Sequence, residues 1–158
     1  EAVVIPLYHM LRRLGLTDTY WALILPQIGL SVSFGTFWMA SFFRSAPQEL
    51  IDAATIDGAS RWQALWQVLW PLARPAVLTL VVLLFMWTWN EFLLALVLVQ
   101  DENLRTLPVG LAFFQGRFTA DVPRLAAGSL IVAGPILVVY VFFQRHFIRG
   151  MLGGSLKG

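Results

Sequence analysis

Residues 20–43 read YWALILPQIGLSVSFGTFWMASFF, and the only ionisable group among them is the phenol of Tyr20. A helix rises 1.5 Å per residue and the hydrocarbon core of a bilayer is about 30 Å thick, so roughly 20 apolar residues cross it. This run is long enough to do so. Two more runs follow downstream. Ala76 to Val99 holds a single carboxylate, Glu91, and Leu125 to Phe143 holds no charge. A soluble core could imitate one such run, but three predict an all-α membrane protein. Composition agrees: 58% of residues are hydrophobic and 13% charged, where soluble domains carry about 25% charged residues.

Outward from these spans lie shorter pieces. Ala2 to Leu11 is apolar, ends at Arg12-Arg13, and reads as the tail of a fourth helix. The first residue is Glu and no signal-peptide n-region is present, so the chain reads as the C-terminal part of a longer membrane protein. The expected order is therefore a partial span (2–11), full spans at 20–43, 76–99 and 125–143, and an organised polar segment at 44–74. Alternation puts the 44–74 segment and the C-terminus on one side of the membrane. Six basic residues there (Arg44, Arg61, Arg74, Arg145, Arg149 and Lys157) face five opposite (Arg12, Arg13, Arg105, Arg117 and Arg124). The cluster Arg145, His146 and Arg149, close behind the last span, tips the balance towards a cytoplasmic 44–74 segment.

Small residues line one face of two spans. Gly29, Ser33, Thr36 and Ala40 share a helical face, as do Ala126, Ser129 and Ala133. Such faces let helix backbones approach closely in lipid, within one bundle or across an interface. Pro26 and Pro135 are expected to kink their helices.

The 44–74 segment contains ELIDAATIDGASRWQALWQVLWP at residues 49–71. Ser45 followed by Gln48 has capping-box spacing, with Pro47 in the first turn. Glu49 and Asp52 suit the positive end of a helix dipole. That helix is expected to stop at Gly58, which takes a left-handed C-terminal conformation at low cost. Ser60 with Gln63 opens a second short helix, bounded by Pro71 and Pro75. On it, Trp62, Leu65, Trp66, Leu69 and Trp70 form an amphipathic stripe suited to the membrane interface. Ala53 and Ala54, flanked by Asp52 and Asp57, predict a flat docking surface for another protein.

DAATIDGASRWQALWQVLWP (52–71) resembles the loop of ABC importer permease subunits: Glu-Ala-Ala, three residues, Gly, nine residues, Ile-x-Leu-Pro. Asp52, Ala53, Ala54, Gly58 and Pro71 fall in register, while Asp52 replaces Glu, Val68 replaces Ile and Trp70 replaces Leu. The shorter reach of Asp52 puts in doubt any salt bridge the family makes there. WTWNEFLLAL (87–96), TLPVGL (106–111) and GGSLKG (153–158) resemble the carbohydrate-uptake, maltose-type branch. The resemblance implies a polytopic helix bundle of an ABC type I importer permease, in a bacterial-type cytoplasmic membrane. In it Asp52, Ala53, Ala54, Asp57, Gly58 and Ala59 would belong to the cytoplasmic coupling helix and its turn, seated on an ATPase subunit. The further partners it implies are a second permease subunit, identical or homologous, and an extracytoplasmic sugar-binding protein.

The chain itself lacks the Gly-x-x-x-x-Gly-Lys-Ser/Thr loop that cradles ATP, so ATP is expected on a partner subunit and no cofactor here. With no cysteine, and with His9 and His146 in different segments, no metal site is expected. The net charge of +2 is spread along the chain, without the clustered basic face a nucleic acid needs. Nothing marks a nucleophile, so the chain reads as a transport subunit rather than an enzyme.

Asn90-Glu91 is the remaining constellation. A charged group at the centre of a span costs roughly 2.5–3.5 kcal/mol on insertion scales, so Glu91 is expected to face a bundle interior or a water-filled cavity. Asn90 offers hydrogen bonds, and Trp87 and Trp89 offer apolar faces to a sugar ring. Trp87, Asn90 and Glu91 are thus candidates for a substrate pathway, with an interhelical structural bond as the competing reading. The leading expectation is an ABC permease for sugars. A permease of the same class for another solute, such as a glycerol phosphate, is the first alternative. An ion-coupled secondary carrier with Glu91 as its proton site is the second.

Overall fold

The computed structural model describes the backbone of residues 2–114 and 121–155, with side chains up to Gln144. Among the described residues every regular element is helical: α1 (Val4–Arg13), α2 (Tyr20–Ser45), α3 (Gln48–Ile56), α4 (Arg61–Trp89), α5 (Leu93–Leu98), α6 (Leu107–Ala112) and α7 (Val122–Ser155). A short 3-10 turn, Glu102–Leu104, precedes α6. Three helices are long and apolar enough to cross a membrane: Tyr20–Ser45, Arg61–Trp89 and the Val122–Gln144 part of α7. The side chains of Arg145, His146 and Arg149, and residues 156–158 of the GGSLKG ending, lie outside the described residues.

The chain divides into two compact units. The first comprises Glu1–Ser31 and Phe85–Val141. Its core is Leu11, Ala22, Leu94 and Leu98, with Val4, Leu7, Tyr8 and Leu16 packed around it. The ten residues of α1 rise about 15 Å, too short to span. It ends in a Schellman motif at Gly15. Gly15 has φ +66°, its N–H donates to the Arg12 carbonyl at 3.1 Å, and the Leu16 N–H donates to the Leu11 carbonyl at 2.9 Å. This closure folds Leu16 back onto buried Leu11. Farther along, the Trp89 indole N–H donates to the Val132 carbonyl at 2.9 Å, tying the end of α4 to α7. Gly128 lets α7 lie against α6, because a Cβ there would sit 2.5 Å from Leu111 Cδ2.

The second unit comprises Val32–Leu84 and Phe142–Gly158. The Trp38 indole N–H donates to the Ala76 carbonyl at 3.2 Å, and Gly35 faces the Leu80 side chain. Thr79 is buried but satisfied, its hydroxyl donating to the Pro75 carbonyl at 3.0 Å. Helix α3 packs on the first turns of α4.

Three expectations are corrected. Ser45 does not cap α3: its hydroxyl donates back to the Phe42 carbonyl at 2.8 Å and extends α2 by one residue, as serine does at helix ends. Extended Pro47 occupies the cap position instead. Pro71 and Pro75 do not bound a separate short helix, because Arg61–Trp89 runs through both. A π turn at Ala64–Leu69 accommodates Pro71, whose ring would otherwise crowd the Gln67 carbonyl four residues back. There the Trp70 N–H donates to Leu65, five residues back, and the wider turn relieves the crowding that a proline ring causes in α geometry. Finally, the apolar run 76–99 is not one helix. It breaks at Asn90–Phe92 and resumes as α5.

Candidate functional site

Two groups of residues stand out in the sequence, the α3 turn and the Asn90-Glu91 pair. The first is the α3 turn. Helix α3 ends at a second Schellman motif: Gly58 has φ +80°, its N–H donates to the Thr55 carbonyl at 3.0 Å, and the Ala59 N–H donates to the Ala54 carbonyl at 2.9 Å. Two residues on, Ser60 and Gln63 form a complete capping box: Ser60 N–H donates to Gln63 Oε1 at 2.7 Å, and Gln63 N–H donates to Ser60 Oγ at 3.3 Å. The spacing Ala54, Gly58, Ala59, Ser60, Gln63 is therefore the set of positions that stop one helix and start the next.

The two alanines divide between faces. Ala54 is buried together with Ala64 of the π turn, so small side chains line the packing of α3 on α4. Ala53 is exposed, alongside Glu49, Asp52, Asp57 and Ile56, the last 85% exposed. The expected flat patch through both alanines is thus corrected to Ala53 with a protruding Ile56; Ala54 supports it from beneath. Asp52 accepts a bond from Gln48 Nε2 at 3.2 Å, one turn earlier in the same helix. Trp62 stacks on Trp66 at 6.5 Å between ring centroids, Trp70 meets Trp66 at 5.5 Å in a tilted pair, and all three remain exposed.

The second group is the helix break. Asn90 ends α4 by competing for its backbone: its N–H and its side-chain Nδ2 both donate to the Met86 carbonyl, at 3.2 and 2.7 Å. The Glu91 N–H then takes the tighter i−3 carbonyl of Thr88. Glu91 Oε1 accepts the Leu94 N–H at 2.9 Å and so caps the first turn of α5. Neither residue could have been assigned these roles from periodicity, which runs unbroken through them.

Glu91 lines a cavity of about 400 Å³ in the first unit, with Gln27, Thr88 and Thr106 as its other hydrogen-bonding side chains apart from Ser31. Its remaining walls are aliphatic, from α2 (Leu23, Ile24, Ile28) and α5 (Leu94, Ala95). Gln27 Nε2 donates to Thr88 Oγ1 at 2.7 Å. A neighbouring cavity, also about 400 Å³, shares Thr88 and Thr106 and adds Phe85, Trp89 and Arg105. Arg105 is committed to Glu102 at 3.2 Å, to the Gln100 carbonyl at 3.0 Å, and to the Phe113 ring at 4.1 Å. Thr106 Oγ1 is buried and has no partner among the described residues, a state that costs about 1–3 kcal/mol. Of the three expected pathway residues, Glu91 alone lines these cavities; Trp87 and Asn90 lie outside both linings and are exposed. Gln27, Thr88 and Thr106 were missed. A lone amide inside the 20–43 run was the available signal for Gln27.

The family model for "binding-protein-dependent transport system inner membrane component" matches residues 2–153. The chain belongs to this family. It is similar to the sulfoquinovosyl glycerol transport system permease protein SmoH of Agrobacterium fabrum, 40% identical over 156 residues that cover 99% of this chain and 55% of the relative. It is likewise similar to the trehalose transport system permease protein SugB of Mycobacterium tuberculosis, 38% identical over 159 residues, 99% of this chain and 58% of the relative. Among solved structures, a bacterial ABC transporter involved in the import of the acidic polysaccharide alginate aligns with TM-score 0.64 and 28% identity. That match covers 90% of this chain and 55% of the other. The chain therefore spans about half the length of the permeases it matches, and as a family member it is an inner-membrane component with the helical transmembrane fold.

Proposed function

We propose that this chain is part of the permease of an ATP-binding cassette importer that moves sugars across the cytoplasmic membrane. Its likeness to permeases named for trehalose and for a sugar glycoside carries the reading. Energy would come from a separate ATPase subunit. The exposed face of α3 (Asp52, Ala53, Asp57), braced by Ala54 and held at a fixed angle by Gly58 and Ala59, would seat on that subunit. A rigid two-helix corner suits this task, because a push on α3 is passed directly into α4, a membrane-length helix. A second permease subunit and an extracytoplasmic sugar-binding protein complete the assembly.

Substrate would pass near the α4–α5 break. Glu91 is the contact the cavity supports most directly, while Asn90 holds the break open and Trp87 remains a pathway candidate.

The test is uptake by the complete transporter in proteoliposomes with labelled trehalose, maltose and glycerol 3-phosphate. ATP-dependent, binding-protein-dependent uptake of a sugar is expected. Uptake driven by a proton gradient without ATP would overturn the reading in favour of a secondary carrier.

A further inference from the structure

Asp18 lies outside every motif described so far, yet it has the most constrained backbone of any non-glycine residue described, the only one with a positive φ (+57°). Asparagine and aspartate tolerate this left-handed region better than other side chains, but it is still uncommon for them. Its partners explain why it is held there. The Asp18 N–H donates to the Leu98 carbonyl at 3.2 Å. Its Oδ1 accepts the N–H of Gln100 and, at 3.0 Å, that of Asp101. Three bonds thus stitch the link before α2 to the chain leaving α5, two of them across 82 and 83 positions in sequence.

The location matters because both elements line one cavity. Asp18 precedes Leu23, the first α2 residue in the lining, by five positions; Gln100 follows Ala95, the last α5 residue in it, by five. Buried Ala22 of α2 and Leu98 of α5 belong to the same core. The Thr19 hydroxyl donates to the Leu16 carbonyl at 2.6 Å, and Leu16 folds onto Leu11, so the link itself has little freedom to shift.

We propose that Asp18 is a positioning residue for transport: its carboxylate clasps the end of α5 to the start of α2 and so sets the spacing of the cavity walls that carry Glu91 and Gln27. This rests on the sugar-import reading. Without the carboxylate, the end of α5 keeps the Asp18 N–H bond to the Leu98 carbonyl, the Arg105 bond to the Gln100 carbonyl and its apolar contacts, but loses the two bonds at Gln100 and Asp101 that fix its distance from the start of α2.

Three variants separate positioning from mere stability. Asp18→Gly keeps the left-handed backbone at no steric cost and removes the carboxylate. Asp18→Asn keeps the Oδ1 acceptor and the tolerance for positive φ. Asp18→Ala loses both. Each is made in the complete transporter, and ATP-driven sugar uptake is measured per assembled complex, together with amide hydrogen exchange at Gln100 and Asp101. Asp18→Gly is expected to raise KM about tenfold with kcat changed less than twofold, and to speed exchange at both amides; Asp18→Asn is expected to restore KM to within about threefold of wild type. Wild-type KM in Asp18→Gly complexes whose Gln100 and Asp101 amides do exchange faster would overturn the positioning role. Unchanged exchange would overturn the clasp itself. If the wild-type complex imports no sugar at all, the import reading fails, while the exchange data still decide the clasp.

Discussion

Gly58 and Asp18 both hold left-handed backbone, yet they respond differently to substitution. At Gly58 no heavy atom lies within 4 Å of the place a Cβ would take, so only the backbone opposes a side chain. Gly58→Ala is expected to cost about 1–2 kcal/mol, Gly58→Asn less and Gly58→Val more. The order is read from thermal unfolding of the purified transporter. Gly58→Val should still insert in the membrane but lose sugar-stimulated ATP hydrolysis, and normal coupled uptake in that variant would refute the docking role of α3. Asp18 gives a pH effect instead. Hydrogen bonds from the Gln100 backbone N–H, and then from that of Asp101, lower its pKa below the ordinary 3.8, against a small opposing effect of burial. A carboxyl whose folded pKa is depressed stabilises the fold above its unfolded value and loses that contribution as pH falls through the folded one. Protection of the Gln100 and Asp101 amides should therefore be constant above about pH 5 and decline below 3.8, with no such decline in Asp18→Asn. Gly58 was legible in sequence because its motif is local, spanning Ala54 to Ala59. Asp18 was not, because its partners lie 82 and 83 residues away.

At the level of elements, the break between α4 and α5 decides most. A continuous span through Ala76 to Val99 was the natural reading of an unbroken apolar run. Hydropathy reports only the cost of leaving water, and it does not register that an Asn side chain can take over the carbonyl of the preceding turn. Glu91 likewise looked like a charge stranded in a helix, when it caps the start of the next one. Glu91→Ala should fray α5 and destabilise the transporter by about 0.5–2 kcal/mol, the usual range for losing an N-terminal cap. Glu91→Gln retains an oxygen for the Leu94 N–H and should lose less than half of that. Hydrogen exchange at Leu94 measures both. ATP-driven uptake should persist at least partly in Glu91→Gln, whereas an ion-coupled carrier would lose all uphill transport. The second unforeseen element is the π turn at Ala64–Leu69, which lets Pro71 stand inside a helix that proline spacing alone would have ended.

For the molecule as a whole, alternation of the three membrane-length helices found among the described residues predicts that the α3 turn and the 100–106 link face opposite sides of the bilayer. The chain contains no cysteine, so single labels are clean. In intact cells a cysteine at Asn103, an exposed position, should react with an impermeant thiol reagent. One at Thr55, equally exposed in the chain, should react only after permeabilisation. The reverse pattern would invert the orientation. By itself the sequence determined that the chain is a helical membrane protein, where α2 spans, and where α3 stops and α4 starts. Those features depend on residues within one span or one turn of each other, and desolvation and local capping act at that range. The split of Ala53 and Ala54 between faces, the cavity around Glu91 and the Asp18 clasp were decided only by tertiary structure. Each depends on which backbone donor or which packed helix comes near in space, and neither composition nor period carries that information.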